Sequence, residues 1–256
     1  MRFLLTLLLP TLAFCSELKL EKETLSRIGL KIWQNECRGT VDGLISWNPG
    51  EEFPSLGIGH FIWYPEGATK KFEEGFPPLV AFLEEKLKEK DQKIPSWTKS
   101  KKGFPWKTRE SFLKDKRSKK MQQLRELLST TLDLQITFLY ERFNAAEEKI
   151  LPQLTEKQKA HLSALKNSSQ GVYALIDYVN FKGTGLSEAE RYRGEGWGLL
   201  QILQDISEDT SEDQLVSAFV TSGKKVLARR VRNAPVHRKE DRWLNGWYKR
   251  LETYSQ

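Results

Sequence analysis

From Leu18 to Glu36 the apolar residues Leu25, Ile28, Ile32 and Trp33 recur at helical spacing, while Lys22, Glu23, Arg27, Lys31 and Gln34 fall off that face. The spacing predicts an amphipathic helix. Residues 37 to 66 break the period with Gly, Pro, aromatics and short β-type runs, which predicts turns and a small irregular or hairpin sheet. Pro77-Pro78 opens a second predicted helix running through Lys90. A polar, lysine-bearing connection follows at 93–106 and reads as an exposed loop. Its Trp97, Phe104 and Trp106 are placed either to stack on sugar rings or to pin the loop to the core. Residues 107 to 149 carry long helical patterns, and Thr155 with Gln158 spells a capping box for a helix through about Leu165. Further helices are expected near 170–182, 196–206, 211–230 and 239–254. The chain therefore reads as mainly α (α+β), without an internal repeat.

The first residues stand outside this pattern. Met1-Arg2 is a short basic segment and Phe3 to Phe14 an apolar stretch interrupted by Pro10, too short to span a bilayer. This reads as a signal peptide over 1–15, with Ala13 and Cys15 as the small residues at the cleavage site. A lipid anchor on Cys15 is the weaker alternative, because bulky Phe14 precedes it. No later apolar run is long enough for a transmembrane helix, so an exported chain, periplasmic or secreted, is expected, with Cys37 as its lone thiol. Only two cysteines occur in the 256 residues, which leaves no disulfide framework and no four-cysteine zinc site.

The net charge of +7 changes the picture only in that setting. Outside the cell a basic chain meets anionic polysaccharide, peptidoglycan or lipid headgroups rather than nucleic acid, although Lys and Arg alternating with Glu also describe solvated helix faces.

Candidate chemistry concentrates between Glu36 and His60. Glu36 lies eleven residues after Leu25, three turns at about 3.6 residues each, so it projects from the core face of its helix. Burial there and the negative helix end would both raise its pKa and suit a general acid; the alternative is a glutamate rotated out at a frayed end. Downstream, Ser55 precedes an apolar strand, Gly57-Ile58-Gly59, that ends in His60. Cys37 with His60 would suit a thiol peptidase, but a cysteine at a helix end meets the dipole that opposes thiolate. His161 and His237 are isolated, and no clustered ligands predict a metal site.

Glu36, Ser55 and Gly57-Ile58-Gly59-His60 resemble, in order, the phage-type lysozymes, muramidases of the lysozyme-like superfamily. That family ends its first helix on a catalytic Glu, adds a hairpin bearing an Asp and a Thr, and then reads Gly-Ile-Gly-His. Ser55 stands where the family has Thr, after a loop about four residues longer. Ala174 to Gly183 is similar to the family's buried helix before its glycine turn, and Gly198 to Leu203 to its next helix. Arg229-Arg230, Arg238, Arg242-Trp243 and Trp247 to Arg250 through Tyr254 are similar to its closing helices. Residues 66 to 165 match only as helices.

The resemblance implies one lysozyme-like domain over 16–256: an N-terminal lobe, 16–92, the exposed loop, 93–106, and a helical lobe, 107–256. It implies cleavage of the β-1,4 bond between N-acetylmuramic acid and N-acetylglucosamine by a monomer, with peptidoglycan as partner and no cofactor. Glu36 would be the acid, Ser55 would hold the attacking water, and Gly57, Gly59, Trp47 and Phe181 would contact substrate, while His60 anchors the hairpin through a buried ion pair. The family's second carboxylate has no counterpart by spacing. Asp42 comes too early, and Glu51 and Glu52 are the candidates. Two alternatives follow: a lytic transglycosylase needing Glu36 alone, or a non-catalytic wall-binding protein on the same fold. Arg229, Arg230, Arg232, Arg238 and Arg242 are candidates for wall carboxylates or for helix solvation, around Trp243 and Trp247 as core.

Overall fold

The computed structural model describes residues 22–89 and 92–256; the expected signal peptide, Cys15, Leu18 and the helix end at Lys90 lie outside them. Helix α1, Lys22–Cys37, buries Ile28 and Ile32. It ends where Arg38 (φ +54°) and Gly39 (φ +63°) turn left-handed and the Gly39 N–H bonds back to the Trp33 carbonyl at 3.2 Å. Glu36 is thereby left in the last turn.

A short 3-10 turn at Asp42–Leu44 then leads into three strands, β1 (Ile45–Ser46), β2 (Ser55–Leu56) and β3 (Phe61–Ile62). They form an antiparallel sheet in the order β1-β2-β3, with Ser55 opposite Ser46 on one side and Ile62 on the other. Residues 57–60, expected as strand, are instead the tight turn between β2 and β3. Gly57 (φ +70°) is required there twice: its backbone is left-handed, and a Cβ would sit 2.4 Å from Gln135 Oε1, the atom that accepts the Ile58 N–H. Gly57→Ala is expected to destabilise the protein by about 1–3 kcal/mol, read as a fall in the urea midpoint at constant slope. A change below about 0.5 kcal/mol would show that the turn relaxes freely.

Among the described residues eight α-helices and a second hairpin follow α2 (Phe76–Lys88): α3 (Arg109–Lys114), α4 (Lys119–Thr130), α5 (Leu132–Ile150), α6 (Glu156–Lys166), α7 (Ser169–Lys182), the hairpin β4 (Arg191–Tyr192) and β5 (Glu195–Gly196), α8 (Leu199–Asp205), α9 (Leu215–Asn233) and α10 (Asp241–Glu252). Thr155 and Gln158 cap α6 reciprocally. α7 is the axis of the molecule. Its residues from Gly171 to Tyr178 are buried on every side, and α1, α5, α6, α8 and α9 all pack against it. The second hairpin replaces the start of the helix expected from 196. Its turn at Arg193 and Gly194 has positive φ at both residues, a geometry that matches strand twist and that Arg-Gly signals only weakly. The architecture is mainly helical with two small antiparallel sheets. Among the described residues no helix is long and apolar enough to cross a membrane.

The connection at 93–106 is exposed mainly at its polar positions and at Pro105. Phe104 and Trp106 are buried, and Trp97 stacks on Trp63 at 6.2 Å and donates its indole N–H to Gln123. The three aromatics pin the loop to the core, Phe104 and Trp106 fully and Trp97 in part.

Candidate active site

Glu36 is held at the seam where three parts of the chain meet. The β2–β3 turn brings His60 Nδ1 to 3.1 Å from Glu36 Oε2, with His60 itself left-handed at φ +49°. From α10, Arg250 Nη2 reaches Glu36 Oε1 at 2.5 Å. α7 supplies Asp177, fully buried, which accepts two bonds from Arg250, at 2.8 and 2.7 Å, and one from the Tyr254 hydroxyl at 2.6 Å. α7 also ties down the turn, since Asn180 Nδ2 donates to the Gly59 carbonyl at 3.1 Å. One guanidinium thus bridges two buried carboxylates, the arrangement that makes such charges tolerable in the interior.

The electrostatics revise one expectation. Burial is the largest influence and pushes the Glu36 carboxyl up, but Arg250, His60 and Lys182 together outweigh it and hold the group below its ordinary value. The raised pKa expected from the helix alone is absent because the packing of α10 brings Arg250, distant in sequence, against the carboxyl.

A cleft of about 360 Å³ opens beside this seam, lined by Asn35, Phe181, Trp247, Arg250 and Thr253 with Gly246 and Lys249. Phe181 is edge-on to Trp247 at 6.4 Å and lies under the Arg250 guanidinium at 4.1 Å. A larger cavity of about 660 Å³ lies between the 63–74 segment, α2 and the 98–103 segment. Its charged lining, Glu66, Glu74, Glu84 and four lysines, includes neither Glu36, His60 nor Arg250, whereas the smaller cleft has Arg250, the partner of Glu36, in its wall.

The other expected site residues lie elsewhere. Trp47 is buried, packed on Phe104 and Phe112 with its indole N–H on the Glu51 carbonyl at 2.8 Å, and is core rather than a substrate contact. Gly57 and Gly59 serve the turn: a Cβ on Gly59 would strike the Phe61 ring at 2.5 Å. Ser55 is buried in β2. Glu51 and Glu52 sit in the β1–β2 loop, at the end of the sheet opposite the 57–60 turn that meets Glu36. Glu51 accepts from Asn48 at 3.2 Å and Glu52 pairs with Lys71 at 3.2 Å. Asp42 pairs with Arg125. Cys37 is buried against the Gly57 carbonyl, and burial followed by the Glu36 charge pushes its thiol up to about 12, the opposite of a nucleophile's environment.

The closing basic-aromatic segment divides in two. Trp243 is exposed rather than core, with Arg242 stacked on it at 4.3 Å, whereas Arg230 is bound by the buried Glu240 at 2.7 Å. Sequence reasoning missed Arg250, Asp177, Lys182 and Tyr254 as site residues. The signal was present in Asp177, a carboxylate inside the apolar run Ala174 to Val179, which calls for a buried cation.

Comparison with known proteins finds no matching family model, no matching curated protein and no matching solved structure.

Proposed function

We propose that this chain is an exported, monomeric peptidoglycan glycosidase of lysozyme-like fold that cleaves the β-1,4 bond between N-acetylmuramic acid and N-acetylglucosamine, with Glu36 as proton donor. The observation that carries this reading is the placement of Glu36: a buried last-turn carboxylate, gripped from a hairpin turn on one side and a C-terminal helix on the other, beside a cleft with aromatic walls. A water-poor carboxyl suits transfer of a proton to the glycosidic oxygen as the C1–O bond breaks. At rest Glu36 is ionised by its cationic neighbours. A sugar seated in the cleft adds to the desolvation that already pushes the carboxyl up, which favours the protonated form needed for the acid step.

The positions of Glu51 and Glu52 favour one variant of this chemistry. With both acids engaged at the far end of the sheet, Glu36 alone would protonate the leaving oxygen and then take the proton of the sugar's own hydroxyl as that oxygen closes on C1, as in lytic transglycosylases. Digestion of purified peptidoglycan followed by fragment masses separates the readings. Hydrated reducing ends identify a hydrolase, and ends lighter by one water identify the transglycosylase. Intact wall that still pulls the protein down leaves only a binding module and overturns the catalytic proposal.

A further inference from the structure

A column of alternating cations and rings runs from Glu36 into the C-terminal region. Arg250 Cζ lies 4.1 Å from the centre of the Phe181 ring, and Lys182 Nζ lies 3.9 Å from that same ring and 3.5 Å from Trp247. Beyond Trp247, Arg230 Cζ lies 4.9 Å from Trp247 and 4.1 Å from Trp197. Both guanidinium groups are matched by carboxylates, Arg250 by Glu36 and Asp177, Arg230 by Glu240.

Lys182 is different. It is the last residue of α7, 9% exposed, and among the described residues its amine has no carboxylate, carbonyl or hydroxyl partner. Two ring faces favour its charge, whereas burial and the guanidinium groups on either side oppose it. A guanidinium stays protonated under all ordinary conditions, so Lys182 is the one cation of the column whose charge can change.

We propose that Lys182 is a positioning residue for Glu36, its charge governing the acidity at which the Glu36 carboxyl takes up a proton. The groups facing Glu36 are His60 from the β2–β3 turn, Arg250 from α10, Lys182 from α7 and Cys37 on its own helix. Those facing Lys182 are Arg230 from α9, Arg250 from α10, Glu240 just before α10, and Glu36 from α1. Burial, then Arg230 and Arg250, hold the Lys182 amine well below its ordinary value against the pull of Glu240 and Glu36. As pH falls the amine charges, and that charge, added to Arg250 and His60, keeps Glu36 ionised to lower pH. The two groups titrate as a coupled pair.

The proposal is independent of the reaction and is tested without substrate. In the full chain labelled with ¹³C at glutamate Cδ and lysine Cε, the Glu36 resonance is identified by its loss in Glu36→Gln. Its pH midpoint is then followed in wild type, Lys182→Met and Lys182→Arg, with circular dichroism checking each fold and His60→Gln reporting the histidine's separate share. The Met variant is expected to raise the Glu36 midpoint by roughly one unit, the order of effect of one nearby charge at an effective dielectric of about 20. The Arg variant, permanently charged, is expected to keep the midpoint low. A Met variant titrating like wild type overturns the proposal. Should neither variant fold, the wild-type curves decide: a step in the Glu36 shift at the midpoint of the Lys182 Cε titration supports the coupling, and a Glu36 curve without that step removes it.

Discussion

Glu36→Gln is expected to reduce release of soluble fragments from peptidoglycan by about 10²–10⁴-fold while leaving the fold intact. Glutamine keeps the shape of the side chain and an oxygen for the Arg250 guanidinium, which also retains its two bonds to Asp177. The proton, however, is gone. In the wild type the rate should rise as pH is lowered toward the Glu36 midpoint, because the resting group is ionised and the acid step needs it protonated. The linkage to stability has the opposite sense. A carboxyl held below its unfolded value contributes stability that is present above the unfolded pKa of about 4.3 and is lost as pH falls through the folded one. Thermal melts of Glu36→Gln should therefore be flatter than wild type on the acid side. Fragment release at the wild-type rate would remove Glu36 from the mechanism.

Arg250→Met should be the most damaging single change to stability, costing about 3–5 kcal/mol, because it leaves Asp177 and Glu36 as buried carboxylates without their shared cation. For a chain of this size, at about 2–4 °C per kcal/mol, the melting temperature should fall by roughly 10 °C. Tyr254 would remain as a donor to Asp177, but a neutral hydroxyl does not balance two charges. Adding Asp177→Asn and Glu36→Gln to Arg250→Met should recover much of the loss, since the triple variant buries no unpaired charge. Arg250→Lys should recover little: an ammonium cannot reproduce the fork that grips Asp177 through Nε and Nη2 while reaching Glu36. A loss below about 1 kcal/mol for Arg250→Met would mean that the carboxylates find water or protons instead.

Local information carried the helices well. The periodicity of Leu25, Ile28 and Ile32 and the Thr155–Gln158 cap are properties of neighbours in the chain; α6 has the expected type and nearly the expected ends, and α1 the expected type and C-terminal end. Aromatic residues were harder. Trp47, Trp97 and Trp106 are buried, or nearly so, while Trp243 is exposed, and nothing in their flanking residues distinguishes the two outcomes. The Gly57–His60 segment shows the same limit. Its apolar content reads as strand, but its left-handed glycine and the Gln135 side chain arriving from α5 make it a turn.

The sequence by itself determined a mainly helical chain, a break between Glu36 and Pro77 that forms a small sheet, and a glutamate on the core face of its first helix, because helical period, turn residues and caps act over a few positions. Only the tertiary structure decided what surrounds that glutamate. Arg250 and Asp177 are far from it and from each other along the chain, and Lys182 reaches it across Phe181. Their juxtaposition follows from how α1, α7 and α10 pack, and with it the sign of the shift on Glu36, since the charge of a buried group is set by its neighbours in space.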